Sequence, residues 1–316
     1  HLTVRPTGVN AGSSAQVVQA QLTIDAPDGT RVVGPREVTT TVPAGGGLGT
    51  PIELDVPDVQ PWDLDHPRLY TVRLKVQGDA TWHELVEHTG FRDVEAKGLD
   101  LLLNGKPVED LQGFDRHADY PGLGRTQTDG LADREIKDLR DKGFQLFRPA
   151  HYPTTPAELD AADKYGLLVI EEVNNISSQP GSFLAEQSTQ DFGKHTLQRM
   201  IDRDRSHPSL FAWSVGNENA TETDGGVDYV KNVIGFGRTL DPTRLYTQVS
   251  HRHTADRAYP YQDFFATNYY AGWYSTMESL ESHLDAVQAM AKMPILISEY
   301  GAEAVYQRPG TGRGTE

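Results

Sequence analysis

The sequence predicts an α/β fold: a (β/α)8 barrel that lacks its last unit, preceded by a small all-β sandwich. Over residues 1–93, polar and apolar positions alternate between turn signals, which is typical of an antiparallel sandwich. From about residue 99, short apolar strands alternate with amphipathic helices, which is typical of parallel βα units. Seven such strands are present, one fewer than the eight of a closed barrel of this type.

The sandwich is predicted from four strand-like stretches. A turn at Pro27-Asp28-Gly29 divides the first stretch into a pair of strands. The stretches are "AQVVQAQLTIDAPDGTRVV", "REVTTTVPA", "PIELDVPD" and "LYTVRLKVQGD". No catalytic constellation is visible among them, so this region is interpreted as a structural or spacer module.

The barrel is predicted from strands that alternate with helices. The second helix should begin at Thr155-Pro156-Ala157-Glu158, a capping-box spacing with proline at the first helical position. Apolar residues share one face of the first helix (Ala132, Ile136, Leu139) and of the last (Met277, Leu280, Leu284, Val287). The strands are "LQGFDRH", "FQLFRPAH", "LLVIEEV", "SLFAWSVGNE", "RLYTQVSH", "FFATNYY" and "PILISEYG". The tail "RPGTGRGTE" is predicted to be unstructured.

Composition excludes several classes of partner. The net charge of -16 and the lack of a Lys/Arg cluster argue against nucleic acid, and no apolar stretch is long enough to span a membrane. The absence of cysteine excludes disulfides and thiolate chemistry. No signal peptide is visible at "HLTV", which leaves the compartment open and favours the cytoplasm. Because the chain starts without Met, it is expected to be a fragment of something longer.

The charged residues have an unusual makeup. Of 45 acidic residues 27 are Asp, and of 29 basic residues only 9 are Lys. An Asp-rich, Lys-poor surface is typical of proteins from high-salt cytoplasm, where charges are strongly screened. A GC-rich genome would favour the same residues, so a halophilic origin and a genomic bias both stay open.

Polar residues at the carboxyl ends of the barrel strands are the candidates for a functional site, because such barrels carry their active sites there. A carboxylate at the end of a buried strand is costly unless it is paired or used, and "SLFAWSVGNE" ends on one. In strand order the candidates are Asp115, Arg116, His117, Arg148, His151, Glu171, Glu172, Asn217, Glu218, His251, Asn268, Tyr270 and Glu299.

Two carboxylates across a barrel mouth indicate glycoside hydrolysis with retention of configuration. That reaction needs one carboxyl to attack the anomeric carbon and another, roughly 5–5.5 Å away, to protonate the leaving oxygen. Glu218 and Glu299 fit these roles, Asn217 can hydrogen-bond the sugar 2-hydroxyl, and Tyr270 can donate to Glu299. An inverting hydrolase on a similar barrel would require carboxyls well over 6 Å apart.

Four further side chains complete the predicted substrate site together with Asn268. His117 and His151 are interpreted as ligands of sugar hydroxyls, since they lie on different strands and lack the spacing of metal ligands. Trp273 and Tyr274 offer apolar faces to a sugar ring, with core packing as the alternative for the Trp. The sequence therefore predicts neither a metal nor another cofactor, and a carbohydrate as the partner.

Several segments, in order, resemble glycoside hydrolase family 2, which contains β-galactosidases, β-glucuronidases and β-mannosidases. The resemblance implies an immunoglobulin-like sandwich over residues 1–93 and a catalytic TIM barrel over 94–316, truncated after the seventh strand. The segments are "PWDLDHPRLYTVRLKV" with "GFRDVEAKGLDLLLNGKPV", "FRPAHYPTTPAELDAADKYGLLVIEEVN", "DRDRSHPSLFAWSVGNE" and "PILISEYG".

The resemblance also implies roles for the site residues. It implies that the chain is an exo-acting retaining β-glycosidase. Glu299 would be the nucleophile, Glu218 the acid/base and Asn217 the amide partner of Glu218. The segment "NYYAGWY" resembles the Tyr- and Trp-containing stretch of β-glucuronidases more than that of the large β-galactosidases. Those β-galactosidases bind magnesium through a Glu and a His after strand three, and "VNNISSQP" supplies neither. A β-galactosidase or β-glucuronidase type of activity is therefore expected.

The end of the chain leaves one alternative open. Only 17 residues follow Glu299, too few for the remaining barrel units, and an incomplete barrel would expose strand edges unless a longer parent or a second chain closed it. A non-catalytic carbohydrate-binding or assembly module derived from the same fold is therefore the competing hypothesis. A homo-oligomer is also possible.

Overall fold

A computed structural model describes residues 1–77, 82–120, 122–174 and 176–301. The chain divides into two compact units: the first contains His1–Phe91 and Ser206–Pro208, and the second contains Arg92–Arg205 and the chain from Ser209 onward. The tail "RPGTGRGTE", predicted to be unstructured, lies outside the described residues. The domain limits predicted from the sequence, 1–93 and 94–316, stay a prediction.

The first unit is rich in strands. The longest strands form an antiparallel sheet in the order β4-β3-β7-β8, and β1 pairs with β6 and β2 with β5. Alternate residues of β3 and β7, among them Leu22, Ile24 and Val72, face a common apolar core. The strands are β1 Leu2–Val4, β2 Thr7–Gly8, β3 Gln16–Asp25, β4 Arg31–Val42, β5 Gly47–Leu48, β6 Ile52–Leu54, β7 Tyr70–Gln77 and β8 Trp82–Thr89.

The turn predicted at Pro27-Asp28-Gly29 does join β3 to β4, and Gly29 adopts the positive φ of 84° that such turns favour. Strand β8 was not predicted. It lies at the edge of its sheet and carries Glu84 and Glu87, so its residues lack the polar-apolar alternation of a half-buried strand.

The second unit contains the predicted barrel. Seven parallel strands follow one another in the order β12 to β18, and the first and last approach within 8 Å between Cα atoms. A small antiparallel sheet of β9, β10 and β11, which was not predicted, precedes them. The strands are β9 Val94–Lys97, β10 Asp100–Leu103, β11 Lys106–Pro107, β12 Gly113–Arg116, β13 Leu146–Pro149, β14 Leu168–Glu172, β15 Leu210–Asn217, β16 Leu245–Ser250, β17 Phe265–Asn268 and β18 Ile295–Glu299. The barrel prediction is therefore confirmed.

Helices cover the outside of these strands. All residues of strands β13 to β17 are buried, which explains the near-continuous apolar sequences of these strands. The predicted capping box at Thr155 and Glu158 is present, with Pro156 as the first helical residue. The helices are α1 Asp129–Asp141, α2 Pro156–Tyr165, α3 Gly181–Leu184, α4 Gln187–Asp204, α5 Asp224–Leu240 and α6 Ser279–Ala291.

One helix face was predicted wrongly. Met277 precedes α6 and is 60% exposed, whereas Val287 and Ala291 are the buried residues of that helix. The apolar spacing extended one turn too far because the short segment before α6 continues the same periodicity. Among the described residues, no helix is long and apolar enough to cross a membrane.

Candidate active site

A cavity of about 910 Å³ lies along β12, β13 and β18 and reaches the carboxyl ends of the barrel strands, with Gln112, Phe144 and Leu146 at its opposite end. Parallel strands place their carboxyl ends at the same edge, so residues distant in sequence meet there. The polar and aromatic residues lining the cavity include Asp115, Arg148, Glu218, Tyr270, Trp273, Tyr274 and Glu299.

Arg148, at the end of β13, is the centre of a buried charged network. Its guanidinium is 1% exposed and contacts both oxygens of Glu172, with Nη2 2.9 Å from Oε2 and 3.1 Å from Oε1. Nη1 donates to Glu299 Oε1 at 2.7 Å, and Nη2 donates to Asn217 Oδ1 at 3.0 Å. Asp115 lies 3.5 Å away. One buried cation therefore connects strands β12, β13, β14, β15 and β18.

Glu299 ends β18 and is held by two donors. Arg148 contacts one carboxylate oxygen and the Tyr270 hydroxyl donates to the other at 2.7 Å. The side chain is only 9% exposed, and Asn268 is its neighbour across the β17–β18 ladder. Both oxygens of the carboxylate are therefore held in place by hydrogen bonds, one of them charge-assisted.

Glu218 follows β15 and has a different environment. Its carboxyl is 27% exposed and accepts a hydrogen bond from the neutral amide Asn268 Nδ2 at 2.9 Å. His251 Nδ1 lies 3.8 Å from its other oxygen. Asn217 Oδ1 accepts hydrogen bonds from Asn268 and from Arg148 at the same point. Asn268 therefore bridges the two residues that end the signature "SVGNE".

Burial and charge shift several pKa values in opposite directions. Burial alone would raise the pKa of Glu172, but Arg148 and His151 outweigh it and lower that pKa. Burial alone would lower the pKa of His151, but its hydrogen bond to the Glu172 carboxylate raises it. Burial and the hydrogen bond to Glu299 raise the pKa of Tyr270, so the hydroxyl stays protonated. Burial, opposed by Arg148 and assisted by Glu299, raises the pKa of Asp115 to about 7.

The structure brings most of the predicted site residues together. Glu218, Glu299, Asn217, Asn268 and Tyr270 belong to one hydrogen-bonded network with Arg148. Four further predicted residues lie around it: His151, Trp273, Tyr274 and His117.

These four residues have different positions relative to the network. His151 contacts Glu172 and Arg148 through Nδ1, and its Nε2 is 3.8 Å from Glu299 Oε1. Trp273 and Tyr274 line the cavity, and Tyr274 is 63% exposed. His117 is exposed and lies 5.8 Å from His151 between ring centroids. The Trp273 indole is thus at the cavity wall and is not part of the buried core.

Sequence reasoning named Arg148, Asp115 and Glu172 as candidates at strand ends, but it gave Arg148 and Asp115 no role. Glu172, together with Glu171, was interpreted as ordering Arg or Tyr side chains around the site, and Glu172 does contact Arg148. An arginine inside the apolar stretch "FQLFRPAH" was the available signal, because a fully buried guanidinium requires several anionic or carbonyl partners. The neighbouring Glu171 faces a separate cluster, where it contacts Arg203 Nη2 at 3.1 Å and the Thr154 amide at 3.0 Å.

The anionic groups at the barrel mouth are bridged by a protein cation. Among the described residues of the mouth, no three His, Asp or Glu side chains bring ligand atoms within 4.8 Å of one another. The prediction that the site uses neither a metal nor another cofactor stays a prediction.

Comparison with family models places both units of the chain. Residues 94–313 match the TIM barrel domain of glycosyl hydrolases family 2, and residues 1–92 match a second model of glycosyl hydrolases family 2. The human β-glucuronidase is 30% identical over 280 residues, covering 82% of this chain and 42% of that protein. The β-glucuronidase of Streptococcus agalactiae is 29% identical over 275 residues, covering 78% and 45%. The chain thus spans less than half the length of these relatives.

Solved structures give the same picture of the fold. A β-galacturonidase from Eisenbergiella tayi bound to galacturonate superposes with a TM-score of 0.83 at 24% identity, covering 95% of this chain and 53% of that one. A β-D-glucuronidase from Dictyoglomus thermophilum superposes with a TM-score of 0.78 at 26% identity, covering 96% and 55%. Matches to family models over nearly the whole chain establish the relationship: the chain belongs to glycoside hydrolase family 2.

Proposed function

We propose that this chain carries the catalytic site of a retaining exo-β-glycosidase that removes terminal β-linked hexuronic acids. The observation that carries the proposal is the contrast between two carboxyls at one cavity. Glu299 is nearly buried between a cation and a hydroxyl donor, whereas Glu218 is partly exposed and bonded to a neutral amide. A retaining glycosidase needs one ionised and one protonated carboxyl.

In the first step, the ionised Glu299 attacks the anomeric carbon and forms an ester with the sugar. The bond from that carbon to the leaving oxygen breaks, and the Glu218 proton passes to the leaving oxygen. Arg148 and Tyr270 support this role because each donates a hydrogen bond to one carboxylate oxygen of Glu299 and so orients the carboxylate for the attack. The deeply buried Arg148 remains cationic, since Glu172, Asp115 and Glu299 raise its pKa despite its burial.

In the second step, water replaces the leaving group. Glu218, now ionised, removes a proton from the water, the oxygen bonds to the anomeric carbon, and Glu299 is released as a carboxylate. The partial exposure of Glu218 suits this exchange of roles, since both the leaving group and the incoming water must reach it. Two inversions at the same carbon retain its configuration.

The remaining predicted residues would bind the sugar. Asn217 is 3% exposed and donates one amide hydrogen to Ser177 Oγ at 3.2 Å, which leaves the second for the sugar 2-hydroxyl. Asn268, His151 and His117 offer further polar groups around the cavity. Trp273 and Tyr274, at the cavity wall, provide apolar faces on which a pyranose ring can stack.

The preference for a hexuronic acid rests on the named relatives. The curated proteins that the chain resembles are β-glucuronidases, and a solved structure with the same fold is a β-galacturonidase. The raised pKa of His151 supports this choice, because it favours the charged form of an imidazole near Glu299, and that form would attract an anionic substrate. Galactosides and mannosides should then be poorer substrates than uronides.

Hydrolysis of a nitrophenyl glycoside panel tests the proposal. The full chain should cleave the β-glucuronide or the β-galacturonide faster than the β-galactoside, β-mannoside and β-glucoside, with retention of configuration in the product. Glu299→Gln should abolish turnover, whereas Glu281→Gln, an exposed glutamate of α6, should leave it unchanged.

Silence across the panel from a folded protein would overturn the proposal. Binding of free uronate by such an inactive protein, measured by calorimetry, would favour the competing non-catalytic carbohydrate-binding module. A product of inverted configuration would exclude the double displacement.

A further inference from the structure

The backbone around Glu218 is held in an unfavourable conformation. Glu218 has a φ of 51°, in the left-handed region that non-glycine residues seldom occupy, and Gly216 two residues earlier has a φ of 153°. A residue in such a region costs of order 1–3 kcal/mol and persists only when its surroundings fix it. Some neighbouring group must therefore hold this bend at the end of β15.

Two backbone carbonyls receive the amide groups of the bend. The Asn217 N–H donates to the Ile176 carbonyl at 2.9 Å, on the side of the loop after β14. The Glu218 N–H donates to the Val249 carbonyl at 2.8 Å, on the side of β16. The bend is thus hydrogen-bonded to the elements on both sides of β15, and its position depends on where those two carbonyls lie.

Two buried amide side chains connect these carbonyls beneath the bend. Asn219 Nδ2 donates to Gln248 Oε1 at 3.1 Å and lies 3.4 Å from the Ile176 carbonyl. Gln248 Nε2 donates to the Val249 carbonyl at 2.8 Å. Both side chains are 0% exposed. A continuous chain of hydrogen bonds therefore runs from one carbonyl to the other through Asn219 and Gln248.

Each amide is itself fixed. Asn219 Oδ1 accepts the Gln179 backbone N–H at 3.0 Å, and the Gln248 backbone N–H donates to Gln262 Oε1 at 2.8 Å. A Cβ at Gly216 would lie 2.6 Å from Asn219 Nδ2, so the glycine is required for the amide to pack against the strand. Such a buried, satisfied polar network specifies one backbone arrangement.

We propose that Asn219 and Gln248 form an amide clamp that positions Glu218. Resting on the proposed function, the clamp keeps the Glu218 backbone left-handed and so directs its carboxyl toward Asn268 and the leaving oxygen. Neither side chain reaches the substrate, so both are positioning residues. Their loss displaces the acid without removing it.

Leaving groups of different acidity separate positioning from general damage. Protonation by Glu218 matters for a phenyl β-uronide, whose leaving group is a weak acid, and hardly matters for a 2,4-dinitrophenyl β-uronide. Asn219→Ala should lower kcat/KM for the phenyl substrate about 10²-fold, the effect expected of a misplaced catalytic group, and lower it less than about threefold for the dinitrophenyl substrate. Gln248→Ala should give the same pattern.

A matched control is the Asn232–Gln190 pair between α5 and α4, whose amides are 2.8 Å apart and outside the site. Asn232→Ala should leave the ratio of the two kcat/KM values unchanged. Equal losses on both substrates in the Asn219 and Gln248 variants, or no loss, would overturn the clamp.

Crystal structures of the parent and the Asn219→Ala protein provide a readout that does not depend on activity. The Glu218 φ should leave the left-handed region in the variant, and an unchanged bend would overturn the clamp. If the parent chain cleaves neither substrate, the proposed function fails, whereas these structures still decide whether the clamp exists.

Discussion

Glu299 and Glu218 carry the same carboxyl group, but their surroundings differ. Glu299 is 9% exposed and is bonded to Arg148 and Tyr270, while Glu218 is 27% exposed and bonded to the Asn268 amide. The first environment supplies a cation to the carboxylate, whereas the second supplies a neutral amide, with His251 Nδ1 3.8 Å away and solvent nearby. Identical side chains can therefore be prepared for opposite tasks by what the neighbouring strands bring to them.

The two sites also use different means to fix a side chain. Glu299 is oriented directly, through contacts with its own carboxylate oxygens. Glu218 is oriented mainly through its backbone, which is bent by hydrogen bonds to Ile176 and Val249. Substitutions that remove a charge should therefore affect Glu299 most. Substitutions that alter backbone packing should affect Glu218 most.

The largest expected effect is that of Arg148→Met. Removing the guanidinium leaves Glu172 and Glu299 buried without their cation, which should lower the free energy of unfolding by about 3–5 kcal/mol. Hydrolysis should fall below detection at the same time, because Glu299 loses its principal donor. Urea unfolding and the nitrophenyl assay measure the two consequences.

Arg134→Met is the control, since Arg134 is exposed on α1. It should change neither quantity appreciably. A stable and active Arg148 variant would contradict the electrostatic account of Glu299.

Next in size is Glu218→Ala. Loss of a general acid costs about 10²–10⁴-fold in rate, and the loss should grow as the leaving group becomes a weaker acid. For a dinitrophenyl uronide the first step should be nearly unaffected, and added azide should restore turnover by attacking the glycosyl ester in place of activated water. Equal losses on all leaving groups would mean that Glu218 does not protonate the leaving oxygen.

A smaller effect is expected from Asp115→Asn. Because the pKa of Asp115 is raised to about 7, its carboxyl is neutral below that pH and ionised above it. An ionised Asp115 stabilises the positively charged transition state, so kcat/KM should rise about tenfold as the pH increases through 7. The asparagine variant should lack this rise, and Asp119→Asn, at an exposed site, should keep it. Identical pH profiles for parent and variant would contradict the assignment.

The smallest expected effect on hydrolysis concerns Glu171, which lies in a separate cluster from Glu218 and Glu299. Burial and Asp204 raise its pKa well above its ordinary value, so the folded protein retains a proton that the unfolded chain releases. The stability contributed by this group is therefore complete below the ordinary pKa of 4.5 and is lost as the pH rises through the folded-state pKa.

Glu171→Gln mimics the protonated form of the carboxyl, so it should remove the loss of stability at rising pH. That loss amounts to at most about 1.4 kcal/mol per pH unit. Urea unfolding between pH 5 and 9 measures it. The adjacent Glu172→Gln should be destabilising, because the pKa of Glu172 is lowered and its ionised form binds Arg148. Parallel pH dependences in the Glu171 variant and the parent protein would contradict the account.

The barrel could be predicted from the sequence because its signals are local. Apolar runs mark the strands, and the capping box at Thr155 marks a helix start. Strand ends converge in any parallel barrel, so Glu218, Glu299, Asn268 and Tyr270 could be grouped without coordinates.

What could not be predicted depends on contacts between distant residues. In the sequence, Arg148 has no charged partner nearby. Its partners Glu172, Asn217 and Glu299 lie on other strands and meet it only in the folded barrel. The left-handed Glu218 and its amide clamp leave no periodic trace in the sequence. Edge strand β8 was missed for a related reason, since its charged residues conceal the alternation that identifies half-buried strands.

Covalent trapping of the nucleophile tests the contrast between the two carboxyls most directly. A 2-deoxy-2-fluoro-β-glucuronyl fluoride slows both steps, but its good leaving group lets the glycosyl ester accumulate. Peptide mass spectrometry of the treated full chain should find one sugar on the peptide containing Glu299, and none after Glu299→Gln. A label on Glu218 or Asp115, or an unlabelled chain, would contradict the assignment of Glu299 as the nucleophile.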